Sequence, residues 1–195
     1  NTSWDAYRFE VSAHRWVRLE NASRSWAIAN DATYGWDVTR HQNDRRGTWS
    51  QVRATLVKSA RFPDPDQDQG QHQWNFRIVP DASVLEAVAA GQQINLGERE
   101  VSGAPVDAPF SVSGAVVESV ALAPDRSGDL VIRLYEAEGG PSRVTFRAPK
   151  ADSVTACDLR YRPSESEPEL RGGQGEWSFD LSAFQITTLR ASFAK

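Results

Sequence analysis

The chain has 195 residues, 39% hydrophobic and 25% charged, which is long enough to bury a sizeable core and too apolar for a disordered segment. Its net charge of −4, with both signs interspersed, gives no electrostatic footprint for nucleic acid or an anionic membrane. Its apolar runs fall far short of the roughly 18 residues that span a bilayer.

Cys157 is the single cysteine, so no internal disulfide can form. That predicts a reducing, cytoplasmic setting and a small buried hydrophobe at this position. Methionine is absent even from position 1, which predicts a chain processed or cut out of a longer protein.

In chain order, Tyr7 to Val11, His14 to Leu19 and Trp26 to Ala29 read as short strands. Asn21-Ala22-Ser23 and Asn30-Asp31 punctuate them as turn formers, and Gly35 predicts a further tight turn. Residues 41 to 48 are polar and read as a loop, before Val52, Ala54 and Leu56 alternate as a half-buried strand. Arg61 to His72 is an acid-rich loop stiffened by Pro63 and Pro65, with Gly70 permitting a turn. Beyond it His72, Trp74, Phe76 and Ile78 share one face of a predicted strand.

One helix is predicted, about two turns long. Ser83-x-x-Glu86 fits a capping box, Val84, Leu85, Val88 and Ala89 form its apolar face, and Gly91 supplies a stop. Residues 97 to 109 read as a linker. The last third carries seven strand signals, from Phe110 to Phe193, with Pro163 to Gly175 read as a solvated loop. In the last strand, apolar parity switches between Phe184/Ile186 and Leu189/Ala191/Phe193, which predicts a bulge near Thr187-Thr188. The fold class is therefore all-β, with antiparallel β-sandwiches and one short connecting helix. Residues 1 to 80 read as the end of a larger sandwich, 81 to 109 as helix and linker, and 110 to 195 as a small seven-stranded terminal sandwich.

The chemistry is sparse. His14, His41 and His72 are scattered without paired spacing, so a transition-metal site within the chain is not expected. Asp64, Asp66 and Asp68 alternate as in a calcium loop, but Gln69 stands where the turn glycine belongs and Asn75 where the closing glutamate belongs. Nucleophile elbows, phosphate loops and dinucleotide fingerprints are absent. Six of seven tryptophans lie in the first 74 residues, serving either a β core or, if exposed, the stacking of sugar rings.

Several blocks then add up. Phe9-Glu10-Val11-x-Ala13-His14-Arg15-Trp16-Val17, Ala29-Asn30-Asp31-x-x-Tyr34-Gly35 and Arg61-Phe62-Pro63-Asp64-Pro65-x-x-Asp68-Gln69-Gly70-x-His72 come first. Ser127 to Gly140 and Phe184 to Arg190 follow in order. Together they resemble the C-terminal β region of glycoside hydrolase family 38 α-mannosidases. The resemblance implies a retaining, zinc-dependent glycosidase acting on mannosides, whose zinc ligands and nucleophile lie on a catalytic domain outside this chain. Within these residues it implies no catalytic side chain and no metal. It implies an accessory domain packed on the catalytic domain, with Asp66, Asp68, Gly70, His72, Asn30, Asp31 and Tyr34 at the substrate-cleft edge or an interdomain contact. A sandwich lacking partner strands would expose edges, so a homodimer is a further expectation. The rival reading is an autonomous carbohydrate-binding module.

Overall fold

The computed structural model of the chain describes residues 10–45, 47–98, 100–104, 106–164 and 167–193. Trp4 and the Tyr7–Phe9 part of the first expected strand lie outside the described residues, as do two positions of the expected 163–175 loop. The chain divides into two compact units, Asn1–Glu100 and Val101–Lys195.

The first unit contains β1 (Val11–Ser12), β2 (Trp16–Glu20), β3 (Ser25–Asn30), β4 (Gly35–Asn43), β5 (Gly47–Thr55), β6 (Phe76–Pro80) and α1 (Val84–Asn95). They form two three-stranded antiparallel sheets, ordered β1-β4-β5 and β2-β3-β6. The β2–β3 turn closes on Asn21, whose Oδ1 accepts the N–H groups of Ser23 and Arg24, both at 2.9 Å. Such an Asx turn is what an asparagine followed by small residues favours.

Register fixes the faces of the β2-β3-β6 sheet. Trp16 lies opposite Ala29 and Arg18 opposite Ala27, and this side meets α1. Ala27, Ala82 and Ala87 form the buried cluster there, with Trp16 and Val79 against it. Small residues let the helix approach the sheet closely. Gly91 belongs to that approach: a Cβ built on it would lie 2.9 Å from Trp16 Cδ1 and 3.2 Å from Arg15 Cβ. It is therefore a contact rather than a stop, and the helix runs twelve residues, one turn beyond the expected end. The expected capping box is present at its start, where Ser83 N–H donates to Glu86 Oε2 at 2.8 Å and Glu86 N–H to Ser83 Oγ at 3.2 Å. The helix is also an integral layer of the first unit, not merely a connector.

Two further readings change. Residues 41 to 48 are not simply a loop, because β4 and β5 extend to Asn43 and Gly47 in one long hairpin. Its outer end is polar on both faces, so no apolar alternation marked it; the His41 ring instead stacks on Trp49 across the strands at 5.2 Å. Conversely, the strand expected from His72 starts only at Phe76, because Asn75 is captured by Asp31 just before it.

The second unit contains β7 (Ser111–Ser113), β8 (Val116–Leu122), β9 (Leu130–Tyr135), β10 (Ser142–Arg147), β11 (Ala151–Cys157), β12 (Arg171–Gly173), β13 (Glu176–Leu181) and β14 (Ile186–Phe193). These eight described strands form two four-stranded sheets, β12-β13-β10-β7 and β11-β14-β9-β8. The short β12 lies within the stretch read as a solvated loop. The core between the sheets includes Ile132, Leu134, Val144, Phe146, Phe179 and Leu189, all fully buried.

No bulge interrupts β14 at Thr187-Thr188, since its register against β9 is continuous from Ile186 to Ala191. The apparent parity switch arises because Phe184 and Ile186 are exposed rather than core residues. The register shifts lie instead between Val117 and Ser119 and between Ala151 and Ser153.

Candidate functional site

The chain leaves β5 at Thr55 and enters the acid-rich loop, whose fold is held by local polar contacts. Asp68 Oδ2 accepts the backbone N–H groups of Lys58 at 3.0 Å and Ser59 at 3.1 Å, pulling the far end of the loop back onto its start. Asp66 N–H donates to Asp64 Oδ1 at 2.9 Å, and Gln69 N–H to the Asp66 carbonyl at 3.3 Å. His72 Nε2 lies 2.9 Å from the Asp68 carbonyl, and its ring stacks on Trp74 at 5.3 Å. The alternating aspartates thus serve turns and loop closure.

The 30–35 turn stands beside this loop. Buried Asn30 uses Oδ1 to accept the N–H of Thr33 at 2.8 Å and of Ala32 at 3.2 Å, while its carbonyl accepts Asn95 Nδ2 at 2.8 Å. Asp31 accepts the Asn75 backbone N–H at 3.0 Å and Asn75 Nδ2 at 2.6 Å. These bonds, the backbone one foremost, hold the Asp31 carboxyl below its ordinary value. Tyr34 is 56% exposed and stacks on His14 at 5.3 Å.

Between turn and loop lies a hollow of about 430 Å³, lined among others by Glu10, Tyr34, Gly35, Thr55, Lys58 and Asp68. Glu10 bridges its walls: Oε1 accepts the Thr55 hydroxyl and Oε2 pairs with Lys58 Nζ at 3.2 Å. Gly35 is required by this bridge, because a Cβ there would run into the Glu10 carboxylate. The Thr55 hydroxyl, and after it Lys58, lowers the Glu10 pKa; the Ser59 and Lys58 amides do the same for Asp68. Both carboxyls are thus ionised at neutral pH. They suit the accepting of hydroxyl hydrogen bonds, not the donating of a proton as a general acid.

Of the residues expected at a cleft edge, Asp68 and Tyr34 line this hollow together, and Asn30 and Asp31 shape the turn beside it. Asp66, Gly70 and His72 do not line it. Glu10, Thr55 and Lys58 are not among the expected site residues, because single polar residues at or just beyond strand ends carry no site pattern of their own. Among the described residues, no three His, Cys, Asp or Glu side chains converge to hold a metal ion, so this donor set does not fit a zinc site.

Comparison with known proteins divides the chain in the same order. Residues 1–66 match the glycosyl hydrolases family 38 C-terminal domain, and residues 114–189 match the glycosyl hydrolases family 38 C-terminal beta sandwich domain. Alpha-mannosidase 2C1 of Homo sapiens is 34% identical over 205 residues, covering 97% of this chain and 18% of its own length. Alpha-mannosidase G of Dictyostelium discoideum is 28% identical, covering 97% of this chain and 18% of its own. The alpha-mannosidase of Saccharomyces cerevisiae is 28% identical, covering 99% and 20%. The chain therefore spans about a fifth of the length of the curated relatives it matches.

Proposed function

Because the chain belongs to the C-terminal β region of glycosyl hydrolase family 38, we propose that it is the accessory part of an α-mannosidase, supporting a catalytic domain and forming one wall of its substrate cleft. The observation that carries this reading is the hollow between the 30–35 turn and the 58–68 loop. It presents an exposed aromatic face at Tyr34 beside two anchored, ionised carboxylates, a combination suited to a sugar ring and its hydroxyls. On this reading Glu10 and Asp68, both held ionised, accept hydrogen bonds from substrate, and the hydrolytic step and its zinc lie with the catalytic domain.

The test is kinetic. In the full-length enzyme, Tyr34→Ala should lower kcat/KM for an α-mannoside by about tenfold while leaving Tm unchanged. An unaltered kcat/KM would remove the hollow from the substrate wall. Turnover of an aryl α-mannoside by residues 1–195 alone would overturn the accessory role.

The carbohydrate-binding module has one observation in its favour: Trp26 is 42% exposed on an open cleft of the first unit. Saturable quenching of tryptophan fluorescence by mannose oligomers would support it over the accessory reading.

A further inference from the structure

The exposed ring of Tyr34 is held from behind by the stretch that precedes β2. Ala13 N–H donates to the Tyr34 carbonyl and Asn30 N–H to the Arg15 carbonyl, both at 2.9 Å, so the 30–35 turn is tied to residues 13–15 at both ends. Between these ties the His14 imidazole stacks on the Tyr34 ring, with centroids 5.3 Å apart and planes 23° from parallel. Tyr34 lines the hollow and His14 does not, so the imidazole bears on the ring from outside it. The other two histidines also stack on aromatic rings, His41 on Trp49 and His72 on Trp74, but neither partner lines this hollow.

The backbone at Arg15 is what brings His14 there. In a regular strand residues 14 and 16 would share a face. Arg15 instead has a φ of +69°, a left-handed conformation uncommon for any residue but glycine, and the alternation breaks. Trp16 then packs toward α1, where Gly91 leaves room for it and for Arg15, while His14 stays exposed against the turn. A ring as exposed as that of Tyr34 keeps several rotamers unless something holds it, and a ligand meeting a loose ring must order it on binding. We propose that His14 is a positioning residue for the α-mannosidase reaction, its imidazole holding the Tyr34 ring as a preformed platform for a sugar. This rests on reading the hollow as part of the substrate wall. His14 acts only through Tyr34: it touches no sugar and moves no proton.

The experiment measures kcat/KM for an aryl α-mannoside, together with Tm, on full-length enzyme carrying His14→Ala, His14→Phe, Tyr34→Ala, or His14→Ala and Tyr34→Ala combined. His14→Ala should lower kcat/KM about fivefold, the scale of leaving one side chain to be ordered on binding, with Tm unchanged. His14→Phe keeps a ring in the stack and should stay within about twofold of the parent. In the Tyr34→Ala background His14→Ala should bring no further loss, because the ring it holds is gone. If His14→Ala leaves kcat/KM unchanged while Tyr34→Ala lowers it, the positioning role is overturned and the substrate wall stands. A full fivefold loss on top of Tyr34→Ala, or a loss that His14→Phe shares, assigns His14 a substrate contact of its own and overturns the role too. So does a fall in Tm that tracks the lost activity, which assigns His14 to the fold alone. An unchanged kcat/KM in Tyr34→Ala removes the wall, and the positioning role with it.

Discussion

Glu136 shows how one residue can fix two loops of the second unit. Its side chain is buried, and its carboxylate accepts the N–H groups of Phe184 and Gly139, both at 2.9 Å, and of Glu138 at 2.6 Å. These bonds, the Phe184 amide foremost, lower its pKa. A depressed carboxylate stabilises the fold above its unfolded pKa, and that contribution fades as pH falls through the folded value. Glu136→Gln should therefore be less stable than the parent at pH 7, with the gap narrowing on acidification, as urea titrations at a series of pH values would show. Gly91 offers a second test. Alanine there gains helix propensity but forces Trp16 or Arg15 to move, and the expected net loss is about 1–2 kcal/mol by urea unfolding. Neither role was legible in the sequence. A glutamate after a strand and a glycine in a helix each carry a default meaning, and only the partner in space replaces it.

Among the elements, α1 was the most readable at its start and the least at its end. Ser83 and Glu86 signal a cap three residues apart, within reach of local chemistry, and Ser83→Ala should cost about 1 kcal/mol in thermal or urea unfolding. The far end depended on Gly91 meeting β2, which no local window contains. The same limit explains the strands. Leu130, Ile132 and Leu134 alternate against a buried core and were identifiable, whereas the outer β4–β5 hairpin bears polar residues that its own cross-strand pairs stabilise. At the candidate site, Asp68 and Tyr34 could be named in advance through family resemblance, but Glu10, Thr55 and Lys58 join them only through the pairing of β1, β4 and β5.

Across the whole chain, the two units are filled differently. The second has a continuous buried cluster spanning both sheets, while the first leaves Ile78, Val38 and Trp26 exposed between its sheets. Fewer buried apolar contacts mean cheaper opening, so amides of β9, β10, β13 and β14 should exchange with solvent more slowly than those of β4 and β5 when the 195 residues are studied alone. Equal protection throughout would contradict this. All-β class was visible because alternation is local; the unfilled cleft was not, because it depends on which sheets face one another.

The position of β14 has a consequence for biosynthesis. This strand, residues 186–193, lies between β11 and β9, and Arg190 reaches back to Asp129 at 2.7 Å and Asp125 at 2.7 Å. The sheet's centre is thus among the last parts of the unit to be translated. On the ribosome, the β8–β9 pair must wait unjoined to β11 until residue 193 has cleared the exit tunnel, and only then can the core close. A nascent chain stalled before Ile186 should remain open to protease, whereas one extended past Phe193 and the tunnel should become resistant.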